Sequence, residues 1–158
     1  MRRLAVLRIS RLTDYGTVLL AHLAGEHGTI CSAADVSAAT GIALPTVSKL
    51  LKSLAHADLV NSTRGANGGY RLARDPRLIS AADVIDALEG PVSITECSAA
   101  NSHCGIEHVC SVGNAWKRIN VAIRHALDEV SLIDLLRANG PVPSLKFAGM
   151  PINIEEKT

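Results

Sequence analysis

Residues 96–110, "ECSAANSHCGIEHVC", hold three of the four cysteines of the chain, Cys97, Cys104 and Cys110. A thiolate is both a soft metal ligand and a redox nucleophile, so three on one short stretch point to a metal centre or to thiol redox chemistry. A disulfide framework is the weaker reading. The opening "MRRLAVLRIS" is not a secretory signal, because Arg8 and Arg11 cut its apolar run short and no small-residue cleavage site follows. A cytoplasmic, reducing setting without a membrane span is therefore expected. His103 and His108 lie in the same stretch, and imidazole also binds iron and zinc. Structural zinc sites usually use Cys-x-x-Cys pairs, which this sequence lacks. A thiol sensor that forms a disulfide between two of the three cysteines stays open beside the metal reading. Cys31 stands apart and reads as a small buried residue.

The elements that must carry these thiols are mainly helical. The chain has 158 residues, 47% hydrophobic but only 3% aromatic, an aliphatic, Ala-rich composition that suits helices and one domain, or a small domain with an appended helix. Residues 1–80 carry ten Lys/Arg against five Asp/Glu, and residues 81–158 carry six against ten. A basic front half suits a polyanionic partner. No Gly-rich phosphate loop follows a strand and no Ser/His/Asp arrangement is suggested, so neither an enzyme nor a small-molecule substrate is expected.

In the front half, "LTDYGTVLLAHLAGEHG" predicts a helix capped by Thr13 and stopped at Gly25 and Gly28. Ser32 with Asp35 caps a second helix, Gly41 makes the turn, and a third runs from Pro45 to about His56. That order reads as helix-turn-helix. Next come two short alternating stretches, Leu59–Thr63 and Tyr70–Ala73, around "RGANGG", whose glycines and Asn67 are expected to supply positive φ in a hairpin turn. Three helices and a β-hairpin make a winged helix. Its recognition helix presents Thr46, Ser48, Lys49 and Lys52 to the major groove of double-stranded DNA, with Leu50, Leu51 and Leu54 inward. Arg11 in the first helix and Arg64, Asn67 and Arg71 in the wing are the candidate backbone or minor-groove contacts. Arg74 and Arg77 read as solvated surface charges.

Beyond the wing, Ser80 and Asp83 form a capping box for a helix closed by Gly90. After the cysteines, "SVGNAWKRINVAIRHALDEV" predicts a long helix with an apolar stripe of Trp116, Ile119, Ile123, Ala126, Leu127 and Val130. A stripe of this kind after a complete winged helix reads as a dimerisation helix, the alternative being intramolecular packing. A last short helix starts at Ser131. The expected organisation is a DNA-binding domain over 8–90, a cysteine segment over 91–111, the long and short helices over 112–138 and a tail over 139–158.

"RISRLTDYGTVLLAHLA", "LPTVSKLLKSLAHADLVNSTRGANGGYRLARDP", "ISAADVIDALEG" and the clustered cysteines before a Trp-containing helix together resemble the IscR/NsrR-type family of winged-helix transcription regulators. The resemblance spans about residues 8–138, and "LRISRLTDYGTVLL" and "RGANGGY" are most similar to its SUF-system iron–sulfur assembly branch. It implies a homodimer on a near-palindromic operator, acting as a repressor, with a 2Fe–2S or 4Fe–4S cluster as sensor. By the same resemblance Cys97, Cys104 and Cys110 supply three thiolates. The IscR branch adds a His three residues after the last Cys, where this chain has Gly113. The NsrR branch instead takes an Asp from the other subunit, and Asp14 occupies the matching position, with His103 and His108 as the second choice.

Overall fold

The computed structural model describes residues 9–95, 105, 111–137, 146–147 and 150–151. Helix α1 (Arg11–Gly25) is started by Ser10, whose backbone is extended (φ −68°, ψ 156°) and whose hydroxyl accepts the Thr13 N–H. The cap thus lies three residues before the expected Thr13. Thr13 is buried, and its hydroxyl donates to Glu89 at the far end of α4 (Ala81–Glu89). A side chain that could cap its own helix is taken up by a tertiary contact, which no local pattern reveals. The two helices also approach closely at Gly16, where a Cβ would come within 2.3 Å of Leu88 Cδ1.

Helices α2 (Ala33–Thr40) and α3 (Leu44–His56) form the helix-turn-helix. Ser32 and Asp35 make a complete capping box, and Gly41 ends α2 in the left-handed region at φ 72°, as the sequence predicts. The Ser37 hydroxyl donates to Ile42 O at 2.7 Å and closes the turn. Pro45 sits in the first turn of α3, where its missing N–H costs nothing. Val47, Leu50, Leu51 and Leu54 recur at helical spacing and are all buried, so one face of α3 is committed to the core.

Strands β1 (Val60–Thr63) and β2 (Gly69–Leu72) pair antiparallel, with Val60 opposite Leu72 and Thr63 opposite Gly69. In the turn only Gly65 has positive φ (114°); Gly68, Gly69 and Asn67 do not. The other two glycines meet a demand for space. A Cβ on Gly68 would lie 2.3 Å from Thr63 O, and one on Gly69 would lie 2.4 Å from Cys31 O. The second clash marks an element that alternation could not show. Cys31 bridges to Tyr70 through two backbone hydrogen bonds (2.9 and 2.8 Å), a one-residue third strand that ties the wing to the start of the helix-turn-helix.

A 3-10 turn (Pro76–Leu78) leads into α4, which has the expected capping box of Ser80 and Asp83 and closes on Gly90. Helix α5 (Gly113–Asp128) and helix α6 (Leu132–Leu136) follow, the latter started by a Ser131–Asp134 capping box. Leu132 is fully buried in the cluster that holds Leu19, Leu20, Val36, Val47, Leu51 and Ile79. Two backbone hydrogen bonds of 2.8 Å, Ala81 N–H to Val130 O and Leu132 N–H to Ile79 O, fasten α6 to the same core. Within the stretch read as a tail, Lys146–Phe147 (β3) and Met150–Pro151 (β4) form a short antiparallel pair. Among the described residues no helix is long and apolar enough to cross a membrane.

Candidate nucleic-acid interface and the cysteine segment

The outward face of α3 follows from its inward one. With Val47, Leu50, Leu51 and Leu54 buried, the helical repeat leaves Pro45, Lys49, Lys52 and His56 as one exposed row, each a turn or so from the next. Thr46 and Ser48 flank that row and are half-buried. All four residues expected from the sequence therefore lie on or beside the solvent face, and sequence reasoning missed Pro45 and His56. Helical arithmetic alone could have added them. Three further cationic or polar candidates, Arg64, Asn67 and Arg71, are exposed on the wing, and Arg11 is exposed at the start of α1. Arg74 is engaged locally, 3.7 Å from Asp83 and donating to Leu78 O.

Asp14 is exposed in the first turn of α1 and lines an open cavity of about 590 Å³ with Ile9, Ser10 and Arg11. The N-terminus of this helix is held from the opposite side. Glu89 accepts the Ser10 N–H at 2.9 Å and the Thr13 hydroxyl, and these bonds hold its carboxyl below the usual range, against a smaller opposing effect of burial. Cys97, Cys104, Cys110, His103 and His108 lie outside the described residues. Among the described residues no three His, Cys, Asp or Glu side chains gather as a metal site. Cys31 is buried as expected, and that burial, helped by Glu26 and Asp35, pushes its thiol pKa up, away from the reactive thiolate.

The flanks of the cysteine segment rest on α5. Asn120 is nearly buried; its amide oxygen accepts the Ile94 N–H and its amide nitrogen donates to Val92 O, both at 3.2 Å. Arg124 pairs with Asp86 at 2.6 Å and binds α5 to α4. The apolar stripe is only half covered by these contacts. Trp116 is 41% exposed, while Ile119, Ile123, Ala126, Leu127 and Val130 are intermediate.

A helix-turn-helix with a free polar and cationic face, followed by an arginine-flanked hairpin, defines a winged-helix DNA-binding regulator. Residues 9–138 match the family model of Rrf2, described as an iron-dependent transcriptional regulator, and the chain belongs to that family. Among solved structures, the global cysteine regulator CymR of B. subtilis is 32% identical over 84% of this chain and 98% of its own, with a TM-score of 0.64. IscR of T. potens is 31% identical over 85% of this chain and 89% of its own, with a TM-score of 0.60. The oxidized form of Staphylococcus aureus CymR is 29% identical over 82% and 96%, with a TM-score of 0.57. Members of the family are DNA-binding regulators, typically dimeric, and not enzymes.

Proposed function

We propose that the chain is a cytoplasmic, homodimeric repressor of SUF-type iron–sulfur assembly genes that senses through a bound iron–sulfur cluster. The observation that carries the reading is the triplet Cys97, Cys104 and Cys110, on a chain that resembles IscR of T. potens over most of its length. The donor set fits the group. Three thiolates are the soft ligands that such clusters take, and a carboxylate is a competent fourth. Asp14 is taken for that role from the family resemblance, and its exposure beside Arg11 leaves its carboxylate accessible. When bound, the cluster supplies a centre sensitive to iron supply and oxidants. A ligand drawn from α1 of the partner subunit links its occupancy to the relative orientation of the two DNA-reading heads. Thr46, Ser48, Lys49 and Lys52 read or approach the major groove, and Arg11, Arg64, Asn67 and Arg71 hold the backbone.

The test is strictly anaerobic purification, with visible absorption, iron and acid-labile sulfide measured per chain. Matching iron and sulfide with thiolate-to-iron absorption, lost in Cys104→Ala, is the expected result; the Asp14→Ala variant then reports on the fourth ligand. A second reading is a thiol-based redox or nitric-oxide-responsive regulator without a stable cluster, supported by the likeness to CymR and its oxidized form. It predicts a colourless, metal-free dimer whose operator affinity changes when oxidant is added.

A further inference from the structure

Helix α3 carries an unusual set of base-reading side chains. Its thirteen residues, LPTVSKLLKSLAH, contain no Arg, Asn, Gln, Asp or Glu. The bidentate adenine readers are therefore missing from it, as are the carboxylates that accept from cytosine. Among the outward row, Lys49 and Lys52 can donate to guanine O6 and N7, and Pro45 is apolar. The N-terminal residues of a recognition helix are the ones that reach base edges, and Pro45 is the member of the exposed row nearest that end. An apolar ring at the floor of the groove has one specific partner there, the C5-methyl group of thymine.

We infer that Pro45 is a specificity-determining residue that reads a thymine methyl group in each operator half-site. The inference rests on α3 being the recognition helix. Pro45 and Lys49 are one turn apart, about 6 Å along the axis, so the thymine lies about one to two base pairs from the guanine that Lys49 contacts. Burying one methyl group at its ordinary hydrophobic worth changes affinity about fourfold.

The experiment selects half-sites from a random duplex library with the full-length protein, then replaces each selected thymine by deoxyuridine, which removes the methyl group alone. Anisotropy titrations are run with the parent and with Pro45→Ala, a substitution that a helical first turn accepts. The expected result is one thymine per half-site whose replacement weakens the parent about fourfold and leaves Pro45→Ala unaffected. Pro45→Ala should also bind the thymine duplex about fourfold more weakly than the parent, with the same salt slope. No enriched thymine near a G·C pair, or a deoxyuridine effect equal in parent and variant, overturns the inference. Lys49→Ala separates the two levels of failure. If it weakens binding and relaxes the preference for that G·C pair while deoxyuridine is neutral, α3 is in the groove and Pro45 is not the reader. If it changes neither affinity nor that preference, α3 is not the recognition helix, and both readings fall.

Discussion

The winged-helix head and helix α5 use apolar residues differently. In the head, Leu19, Leu20, Val36, Val47, Leu51, Leu54 and Ile79 are 0% exposed, and their spacing leaves the polar and cationic residues to the outside. In α5 only Gly113 and Asn120 are buried, one without a side chain and the other polar, while Trp116 stays 41% exposed. The head has a closed buried cluster, and no residue of α5 is part of it. An element whose stripe is half covered, fastened by an ion pair and an amide instead of a core, is suited to finish its packing against a second copy. That is the physical content of the dimerisation reading.

The contrast can be broken first at its strongest point. Leu51→Ala in the head should cost about 2–5 kcal/mol, as expected for deleting a fully buried leucine whose surroundings cannot collapse. Urea unfolding followed by circular dichroism measures it. A loss no larger than that of a surface change would mean that the head lacks the closed core described. Next in size come two substitutions whose cost lies in close approach or polar burial. Gly69→Ala drives a Cβ into Cys31 O and should cost about 1–3 kcal/mol through the strand bridge to Tyr70. Asn120→Ala leaves the Ile94 N–H and the Val92 carbonyl without their partner, again about 1–3 kcal/mol. Because it frees the start of the cysteine segment, its signature should include faster thiol alkylation in that segment than in the parent. Unchanged alkylation would show that the amide serves the helix alone.

Much of the head was legible because its signals are local. Ser32 with Asp35, Ser80 with Asp83 and Gly41 each announce a helix end within four residues, and the structure places all three as expected. The inward leucines of α3 were readable from period alone, and with them its outward face. The failures are of one kind. The hydroxyl of Thr13 suggests a cap, yet Glu89, 76 residues away, takes that hydroxyl. Gly68 and Gly69 suggest turn residues of positive φ, while their neighbours demand small volume instead. Cys31 as a strand and Asn120 as an anchor leave no periodic trace. Long-range contacts decide all of these, and one sequence shows them only as residue types without a reason. The three thiols were legible as chemistry from their spacing, but their ligand geometry lies outside the described residues.

A smaller effect, read through its pH dependence, tests how the head holds the N-terminus of α1. Glu89 has its folded pKa lowered by hydrogen bonds from Thr13 and Ser10, so its contribution is present above the ordinary glutamate range and is lost as pH falls through the folded value. Glu89→Gln should lower the unfolding midpoint at neutral pH and flatten its dependence on pH below the ordinary range, so that parent and variant converge in acid. An unaltered acid limb would show that the clamp on Ser10 and Thr13 contributes nothing through its charge.

The smallest expected effect on the fold is the most informative about α5. Trp116→Ala removes the largest side chain of the stripe, yet at 41% exposure it should change the stability of the head by no more than about 1 kcal/mol. Its effect on association should run the other way. Tryptophan at the centre of an interface is the residue type most often found to cost about 2 kcal/mol or more on truncation, so the dimer dissociation constant should rise at least about thirtyfold. Sedimentation equilibrium over a range of concentrations reads this directly, and unfolding at high dilution keeps it apart from monomer stability. If Trp116→Ala unfolds the head and leaves the dimer intact, the stripe belongs to the core of its own subunit. The apparent deficit of α5 would then be made good within the chain, and the two regions would differ in density of packing but not in purpose.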